Sequence, residues 1–161
     1  MEKLIPLAEK IAALLKARKQ TLAVAESSAG GLINASLLAL PGASAYCKGG
    51  MVMYTRDAFM SLKDMNPSMM EGIRASSEPY ALLKARVIRE RLKADWGLSE
   101  SGAAGPTGNK YGDKAGHVVL AVAGATERSR TIETASADRV ANMYAFASAG
   151  LNLLLEVLEA R

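Results

Sequence analysis

Two adjacent serines, Ser27 and Ser28, stand in the segment Ala-Glu-Ser-Ser-Ala-Gly-Gly at residues 25–31, directly after a short apolar run. A serine hydroxyl at such a place can cap a helix or attack an electrophile. In an open α/β sheet, ligands bind beyond the carboxyl ends of the strands, where a helix N-terminus offers free N–H groups and the positive end of its dipole. The segment therefore predicts either a helix cap on a glycine turn or a site for an anion or oxyanion.

A second stretch of the same kind lies further along the chain. The run at residues 96–101 ends at Ser101 and continues into Gly-Ala-Ala-Gly-Pro-Thr-Gly-Asn-Lys at residues 102–110. Like the first stretch, it predicts a strand that ends in a glycine-rich turn.

The chemistry open to these serines is limited by what the sequence lacks. His117 is the only histidine, so a Ser-His-Asp triad would depend on it alone, and its place at the start of a predicted strand favours a structural role. Cys47 is the only cysteine and is expected to be a small buried hydrophobe. No metal-binding or phosphate-loop motif occurs. The base for a nucleophilic serine is therefore expected to be a lysine or a tyrosine, since a lysine in a desolvated pocket can lose its proton near neutral pH.

Hydrophobic periodicity predicts alternating helices and strands. The predicted helices cover residues 2–18, 28–38, 56–64, 77–94 and 140–158. The predicted strands cover residues 21–25, 51–54 and 96–101, followed by a hairpin of residues 116–122 and 130–134. This order predicts an α/β fold, a three-layer α/β/α arrangement with a mixed, mostly parallel sheet of about five strands, in one domain over residues 1–161.

Composition narrows the class of protein. The chain has 161 residues, of which 50% are hydrophobic, and a formal net charge of +4 that is spread along the sequence. Without basic runs interleaved with aromatics, nucleic-acid binding is not expected, whereas a small anionic ligand suits the charge. No signal-peptide pattern and no apolar run near ~20 residues is apparent, so the sequence predicts a soluble cytoplasmic protein without a membrane partner.

Several segments together resemble the CinA C-terminal domain family, whose active members are nicotinamide-nucleotide amidases. Residues 26–31 are similar to the family's Glu-Ser-Cys-Thr-Gly-Gly signature. Four further segments are similar to family motifs and follow in the family's order: Pro-Gly-Ala-Ser-Ala at 41–45, Gly-Met-Val-Met-Tyr at 50–54, Ser-Glu-Pro at 77–79 and Ser-Gly-Ala-Ala-Gly-Pro at 101–106. Each motif is weak alone, but five in order extend the resemblance over nearly the whole chain.

The resemblance implies hydrolysis of the carboxamide of nicotinamide mononucleotide, which gives nicotinic acid mononucleotide and ammonia for NAD recycling. It implies Ser27 as the nucleophile and Ser101 as an assisting hydroxyl, with no metal, no cofactor and a homo-oligomeric, self-associating domain. The two glycine-rich turns would face one pocket and offer main-chain N–H groups to the phosphate or the oxyanion. The expected substrate-binding residues are Glu26, Ser28, Gly30, Gly31, Gly102, Gly105 and Arg139.

One departure from the family concerns the base. The family's Tyr-Ser-Asn-Glu-Ala-Lys supplies the lysine that activates the serine, but residues 54–59 read Tyr-Thr-Arg-Asp-Ala-Phe. Phe59 cannot accept a proton, and loss of general-base assistance commonly lowers a rate by about 10²–10⁴-fold. Lys63, one helical turn further on, and Tyr54 are the candidate replacement bases, although a solvated surface position suits Lys63 and a phenol needs a cationic neighbour.

Other departures concern substrate contacts. Of the two arginines in the family's closing motif, Arg139 is retained and the second is Met143. The arginine before the Gly-Phe-Val strand is Gly49, with Lys48 beside it as a substitute with fewer donors. The loop at residues 107–116 also differs, so the family's contacts there do not transfer.

Three functions from different classes follow. The first is an amidase on nicotinamide mononucleotide or a relative, with Ser27 as nucleophile and a relocated base. The second is a catalytically inactive nucleotide-binding or regulatory homologue that keeps the pocket. The third is a partner-binding structural domain without a small ligand. The fold alone does not choose among them, because function resides in the site.

Overall fold

A five-stranded mixed sheet forms the middle layer of the computed structural model, which describes residues 1–160. Its strands are β1 (Leu22–Glu26), β2 (Cys47–Val52), β3 (Trp96–Gly102), β4 (His117–Ala123) and β5 (Glu127–Glu133), in the spatial order β2-β1-β3-β4-β5. Strand β1 pairs in parallel with β2 and β3, whereas β4 pairs antiparallel with β3 and β5. All strands except β4 thus run in one direction, which confirms the predicted mixed, mostly parallel sheet of an α/β fold.

Helices cover both faces of this sheet. The helices are α1 (Ile5–Arg18), α2 (Leu32–Leu38), α3 (Arg56–Met60), α4 (Glu78–Arg91) and α5 (Arg139–Glu159). Successive strand residues point to opposite faces, so Leu22 and Val24 of β1 join the core with α1, α2 and α5, while Ala23 and Ala25 join the core with α3 and α4. All of β1 is buried because both faces are covered. The predicted three layers are confirmed.

Helices α4 and α5 both begin at capping residues. The side chain of Ser77 accepts a hydrogen bond from Tyr80 N at 3.4 Å, with a proline in the first turn, as the sequence predicts for α4. The side chain of Asp138 accepts from Ala141 N at 3.0 Å at the start of α5. These caps fix where α4 and α5 enter the layers on either side of the sheet.

Several predicted boundaries differ from the structure, and two of these differences have a clear physical reason. The helix expected from residue 28 begins only at Leu32, because Gly30 and Gly31 have φ angles of +67° and +100°, which a helix cannot continue through. The strand expected at 51–54 is β2, which begins at Cys47 and ends at Val52. Gly49 and Gly50 interrupt the alternation of apolar and polar residues that is typical of a strand. The strand is therefore defined by its backbone pairing with β1 and not by a sequence pattern.

Helix α5 corrects the expectation about membrane-length apolar stretches. Among residues 1–160, Arg139–Glu159 is the one helix long and apolar enough to cross a membrane, and half of its most apolar window is buried. Its buried side chains, including Phe146, Leu151 and Leu154, pack in the core with α1, α2 and the sheet. Burial in that core accounts for its apolar composition.

Candidate active site

The carboxyl ends of β1 and β3 lie side by side, and Ser27, just after β1, shares one cavity with Ser101, near the end of β3. The two strands pair in parallel up to Ala25 and Ser99, so the chain brings Ser27 and Ser101 together just beyond the paired residues. The cavity has a volume of about 410 Å³. Its lining residues are Ser27, Tyr54, Thr55, Arg56, Ala75, Ser76, Tyr80, Ser101, Gly102, Asn109, Lys110 and Tyr111.

The buried carboxyl group of Glu26 caps the N-terminus of α2. Its Oε2 accepts hydrogen bonds from the backbone N–H groups of Gly31 (2.9 Å) and Ile33 (3.0 Å). Its Oε1 accepts from the backbone N (2.7 Å) and the side-chain Nδ2 (2.6 Å) of Asn34. Burial raises the pKa of Glu26, although the hydrogen bonds from Asn34 and Ile33 act in the opposite direction. The acceptor at this helix N-terminus is therefore the protein's own carboxyl group, not an external ligand.

Glu100, a buried residue of β3, holds the other side of the same turn. Its Oε2 accepts from the backbone N–H groups of Ser27 and Ala29, both at 2.9 Å, and its Oε1 accepts from the Ser28 hydroxyl. Glu100 thereby ties the turn to β3 and fixes Ser27 beside Ser101. In the first turn, the N–H groups of Ser27, Ala29 and Gly31 are therefore used internally and not by a phosphate or oxyanion.

The structure separates the predicted substrate-binding residues from the cavity wall. Of these seven residues, only Gly102 lines the cavity. Gly30 and Gly31 shape the turn, and Gly105 O accepts a hydrogen bond from Arg139 Nη1 at 2.6 Å. Arg139 Nη2 also donates to the Tyr54 hydroxyl at 3.0 Å, so this arginine braces a residue of the wall.

The two candidate replacement bases lie in different surroundings. Tyr54 lines the cavity and has a cationic neighbour, Arg139, as a phenol needs if it is to act as a base. Lys63 is exposed and is not among the lining residues. Phe59 is fully buried, with its ring edge-on to Tyr80 at 5.7 Å between centroids. Within residues 1–160, the Ser27 and Ser101 hydroxyls have no hydrogen-bond partner.

Lys84 on α4 is a residue that sequence reasoning missed. It is fully buried, and its Nζ donates to Glu100 O at 3.3 Å while lying 6.0 Å from the ring centre of Phe59 and 5.6 Å from that of Tyr80. Burial lowers the pKa of Lys84 to about 8, against the attraction of Glu100 and Glu26. Its signal in the sequence is a lysine four residues after buried Tyr80 and four before buried Ile88, on the apolar face of α4.

The cavity itself is cationic and aromatic. Arg56 and Lys110 are on its wall, no carboxylate is among its lining residues, and Tyr54 and Tyr111 are exposed aromatic rings there. Such a wall suits a ligand that has an anionic group and a planar ring. Across residues 1–160, no three His, Cys, Asp or Glu side chains are placed to hold a metal ion.

A second set of contacts holds the rim of the cavity. His117 is buried, with Nδ1 against the Glu133 carboxylate and Nε2 3.0 Å from Ser76 O on the cavity wall. Burial alone would lower the pKa of His117, but its bonds to Glu133 and Ser76 and the charge of Asp113 raise it above the ordinary value. Asp113 in turn forms an ion pair with Arg74. The histidine therefore supports the rim and does not line the cavity.

Comparison with known protein families gives a consistent match. A model of the CinA C-terminal domain matches residues 4–158. The chain is 43% identical over 127 residues to a CinA-like protein of Gloeobacter violaceus, and 41% identical over 117 residues to one of Thermosynechococcus vestitus. These alignments cover 79% and 73% of this chain but 30% and 28% of the relatives. The chain thus spans less than a third of the length of these curated relatives.

Solved structures match over nearly their whole length. A competence-damaged protein (CinA) superfamily protein from Klebsiella pneumoniae has a TM-score of 0.89 at 25% identity, covering 97% of this chain and 98% of that chain. A competence or damage-inducible protein from Enterobacter asburiae has a TM-score of 0.87 at 29% identity, with coverage of 94% and 96%. The sheet and its covering helices are thus similar to those of experimentally solved proteins.

Proposed function

Because the chain belongs to the CinA C-terminal domain family, we propose that it hydrolyses the carboxamide of nicotinamide mononucleotide, or of a closely related nucleotide, to the acid and ammonia. Ser27 is the proposed nucleophile and Ser101 the assisting hydroxyl. The proposal needs a pocket that holds a phosphate and a pyridinium ring while presenting a serine to the carboxamide.

One observation carries this proposal: two serine hydroxyls without hydrogen-bond partners lie in the same cavity as a cationic, aromatic wall. Ser27 and Ser101 line the same cavity as Arg56 and Lys110. A phosphate can therefore pair with these cations while the pyridinium ring stacks on a tyrosine. A volume of about 410 Å³ lies in the range of small-molecule sites. The cavity therefore favours a small anionic nucleotide over a macromolecular partner.

In the proposed reaction the Ser27 oxygen attacks the carboxamide carbon and the carbonyl oxygen becomes an oxyanion. Collapse of this intermediate breaks the C–N bond, releases ammonia and leaves an acyl ester on Ser27. Water then attacks the ester, releases the carboxylic acid and restores the hydroxyl. Because the N–H groups of Ser27 and Ala29 are bonded to Glu100, the oxyanion needs other donors.

The direct test is to incubate the purified protein with nicotinamide mononucleotide and measure both ammonia and nicotinic acid mononucleotide. We expect release that Ser27→Ala lowers by at least about 10³-fold. The control is Ser61→Ala, since Ser61 is an exposed serine whose hydroxyl donates only to Ala58 O. Turnover that survives Ser27→Ala would overturn the assignment of the nucleophile.

The second candidate is a nucleotide-binding homologue without turnover. Phe59, which fills the position of the family's lysine with a buried ring, favours it. This candidate predicts that nicotinamide mononucleotide raises the melting temperature without ammonia release; at 100 times Kd, the stabilisation is about 2.7 kcal/mol. Ammonia release that appears only in Phe59→Lys would support this candidate over the amidase.

A further inference from the structure

Lys84 is the only lysine or arginine buried from solvent in the described residues. An ammonium group loses its hydration on burial, so buried lysines are normally paired with a carboxylate. Across residues 1–160, no carboxylate forms an ion pair with Lys84, and only one of its three donors is used, in the bond to Glu100 O. A purely structural ion pair therefore does not account for this lysine.

The amine lies behind the cavity wall, although Lys84 is not itself a lining residue. Its Nζ lies 5.6 Å from the ring centre of Tyr80, which lines the cavity, and bonds the carbonyl that joins Glu100 to Ser101. The Glu100 carboxylate, in turn, bonds Ser27 N. One residue of β3 thus connects Lys84 on one side of the sheet with the turn that carries Ser27.

Ser101 lies two residues after Ser99, whose hydroxyl donates to Ala81 O on α4 at 2.6 Å, so the Ser101 side chain is on the same face of β3 as Lys84. We propose that Lys84 is the proton acceptor for the Ser27 hydroxyl and acts through the Ser101 hydroxyl, a role that rests on Ser27 being the nucleophile of the proposed function. The two hydrogen bonds of this relay form when the substrate is bound. In the attack, the Ser27 O–H bond breaks as its oxygen bonds to the carboxamide carbon. The proton passes to the Ser101 oxygen while the Ser101 proton passes to the neutral Lys84 amine, which becomes an ammonium. The reverse transfer protonates the departing nitrogen, so ammonia leaves and the amine is restored.

The surroundings of Lys84 fit a group that changes charge during the reaction. Burial lowers the pKa of Lys84 to about 8, so a fraction of the amine is neutral at neutral pH and most of it is neutral at pH 9. The facing groups are Glu100 from β3, Glu26 from β1, Tyr80 from α4 and Phe59 from α3. Burial raises the pKa of Tyr80 to about 12, so this phenol stays protonated and does not compete as the acceptor.

The test uses a readout that does not depend on the natural substrate. The intact protein is treated with a small serine-directed sulfonyl fluoride, and the rate of Ser27 modification is followed by mass spectrometry from pH 6 to 9.5. We expect the wild-type rate to rise through one ionisation near pH 8 and then level off. A flat profile, or no modification of Ser27 at pH 9, would overturn the proposal.

The matched variants are Lys84→Met and the exposed Lys63→Met. Lys84→Met should lower the rate at pH 8.5 by about 10²-fold or more and abolish the ionisation, whereas Lys63→Met should change neither. Circular dichroism and a melting curve check that Lys84→Met is folded. If it does not fold, Ser101→Ala serves instead: we expect a similar loss of rate, and a wild-type rate would overturn the relay.

The same variants, assayed with nicotinamide mononucleotide, separate the two proposals. Modification of Ser27 that depends on Lys84, in a protein that does not hydrolyse the nucleotide, supports the role of Lys84 and contradicts the proposed substrate. Hydrolysis with the wild-type rate and pH profile in folded Lys84→Met supports the proposed function and overturns the role of Lys84.

Discussion

The glycine-rich turns after β1 and β3 are alike in sequence but have different tasks in the structure. In the first turn, residues 26–31, two buried carboxyl groups accept hydrogen bonds from the backbone and from Ser28. In the second, residues 102–113, Gly102, Asn109, Lys110 and Tyr111 contribute to the cavity wall. The first turn, with Glu26 and Glu100, forms a frame that holds Ser27 in place. The second turn, with the contacts of His117 and Arg74 behind it, forms the rim of the cavity.

This difference shows that a glycine turn at a helix N-terminus is not in itself an anion site. The helix α2 has the N–H groups and dipole that favour a negative charge, but Glu26 occupies them. The positive charge on the cavity wall comes instead from Arg56 and Lys110. If the division into frame and rim is correct, changes in the frame should affect stability and turnover, and changes in the rim should affect ligand binding.

The largest stability effect is expected for Glu100→Ala in the frame. The substitution leaves the N–H groups of Ser27 and Ala29 and the Ser28 hydroxyl without their acceptor. At about 1–3 kcal/mol for each unsatisfied buried donor, and with some relaxation, the free energy of unfolding should fall by about 3–5 kcal/mol. Urea denaturation measures the change.

The control for this prediction is Glu90→Ala, which removes an exposed glutamate of α4 and should change the stability by less than about 0.5 kcal/mol. A loss of less than about 1 kcal/mol for Glu100→Ala would mean that the frame does not depend on this carboxyl group. The frame and the rim would then not differ in their effect on stability.

The frame was only partly predictable from the sequence, for a physical reason. Local patterns predicted the order of the elements and the two turns, and parallel strands with serines at their ends imply that Ser27 and Ser101 meet. The roles of Glu100 and Lys84 depend instead on contacts between distant segments: Glu100 bonds Ser27 N across 73 residues. From the sequence alone, a charged residue in an apolar strand or helix is expected to be exposed, because the groups that it bonds when buried lie on distant segments.

The candidate bases illustrate the same limit of local reasoning. Helical spacing suggested Lys63, but α3 ends at Met60 and Lys63 lies exposed beyond it. Lys84 belongs to a different helix and was not visible from the spacing around Phe59. The cytoplasmic location, the self-association and the absence of nucleic-acid and membrane partners stay predictions.

A smaller, pH-dependent effect is expected in the rim, from His117. Both ring nitrogens face acceptors, the Glu133 carboxylate and Ser76 O, so the protonated form makes both bonds. The pKa of His117 is raised above 6.5 in the folded protein. Its stabilising contribution is therefore complete below pH 6.5 and is lost as the pH rises through the folded value.

The measurement is the free energy of unfolding at pH 6 and pH 9 for the wild type and for His117→Gln. Lys84, whose lowered pKa favours stability with rising pH, titrates in the same range with the opposite sign. The difference between the two proteins removes this contribution. We expect the advantage of the wild type to be smaller at pH 9 than at pH 6; an equal advantage at both pH values would contradict the role of the histidine.

The smallest effect is expected for Arg74→Met, which removes an exposed ion pair at the rim. Arg74 donates to both Asp113 oxygens, at 2.9 and 3.3 Å, and its side chain is 47% exposed. Stability should therefore fall by about 1 kcal/mol or less. Because the pair joins the loop at residues 109–113 to the wall residue Ser76, we expect KM for nicotinamide mononucleotide to rise by up to about fivefold, with kcat unchanged.

The matched control for Arg74→Met is Arg86→Met. Arg86 forms a similar two-bond pair with Glu127, between α4 and β5, and neither residue lines the cavity. Its loss should lower stability to a similar extent and leave KM unchanged. A rise in KM in both variants would point to general loosening of the protein, whereas a rise in Arg74→Met alone shows that order in the rim contributes to binding. A fall in kcat without a change in KM would instead assign the second turn to the frame.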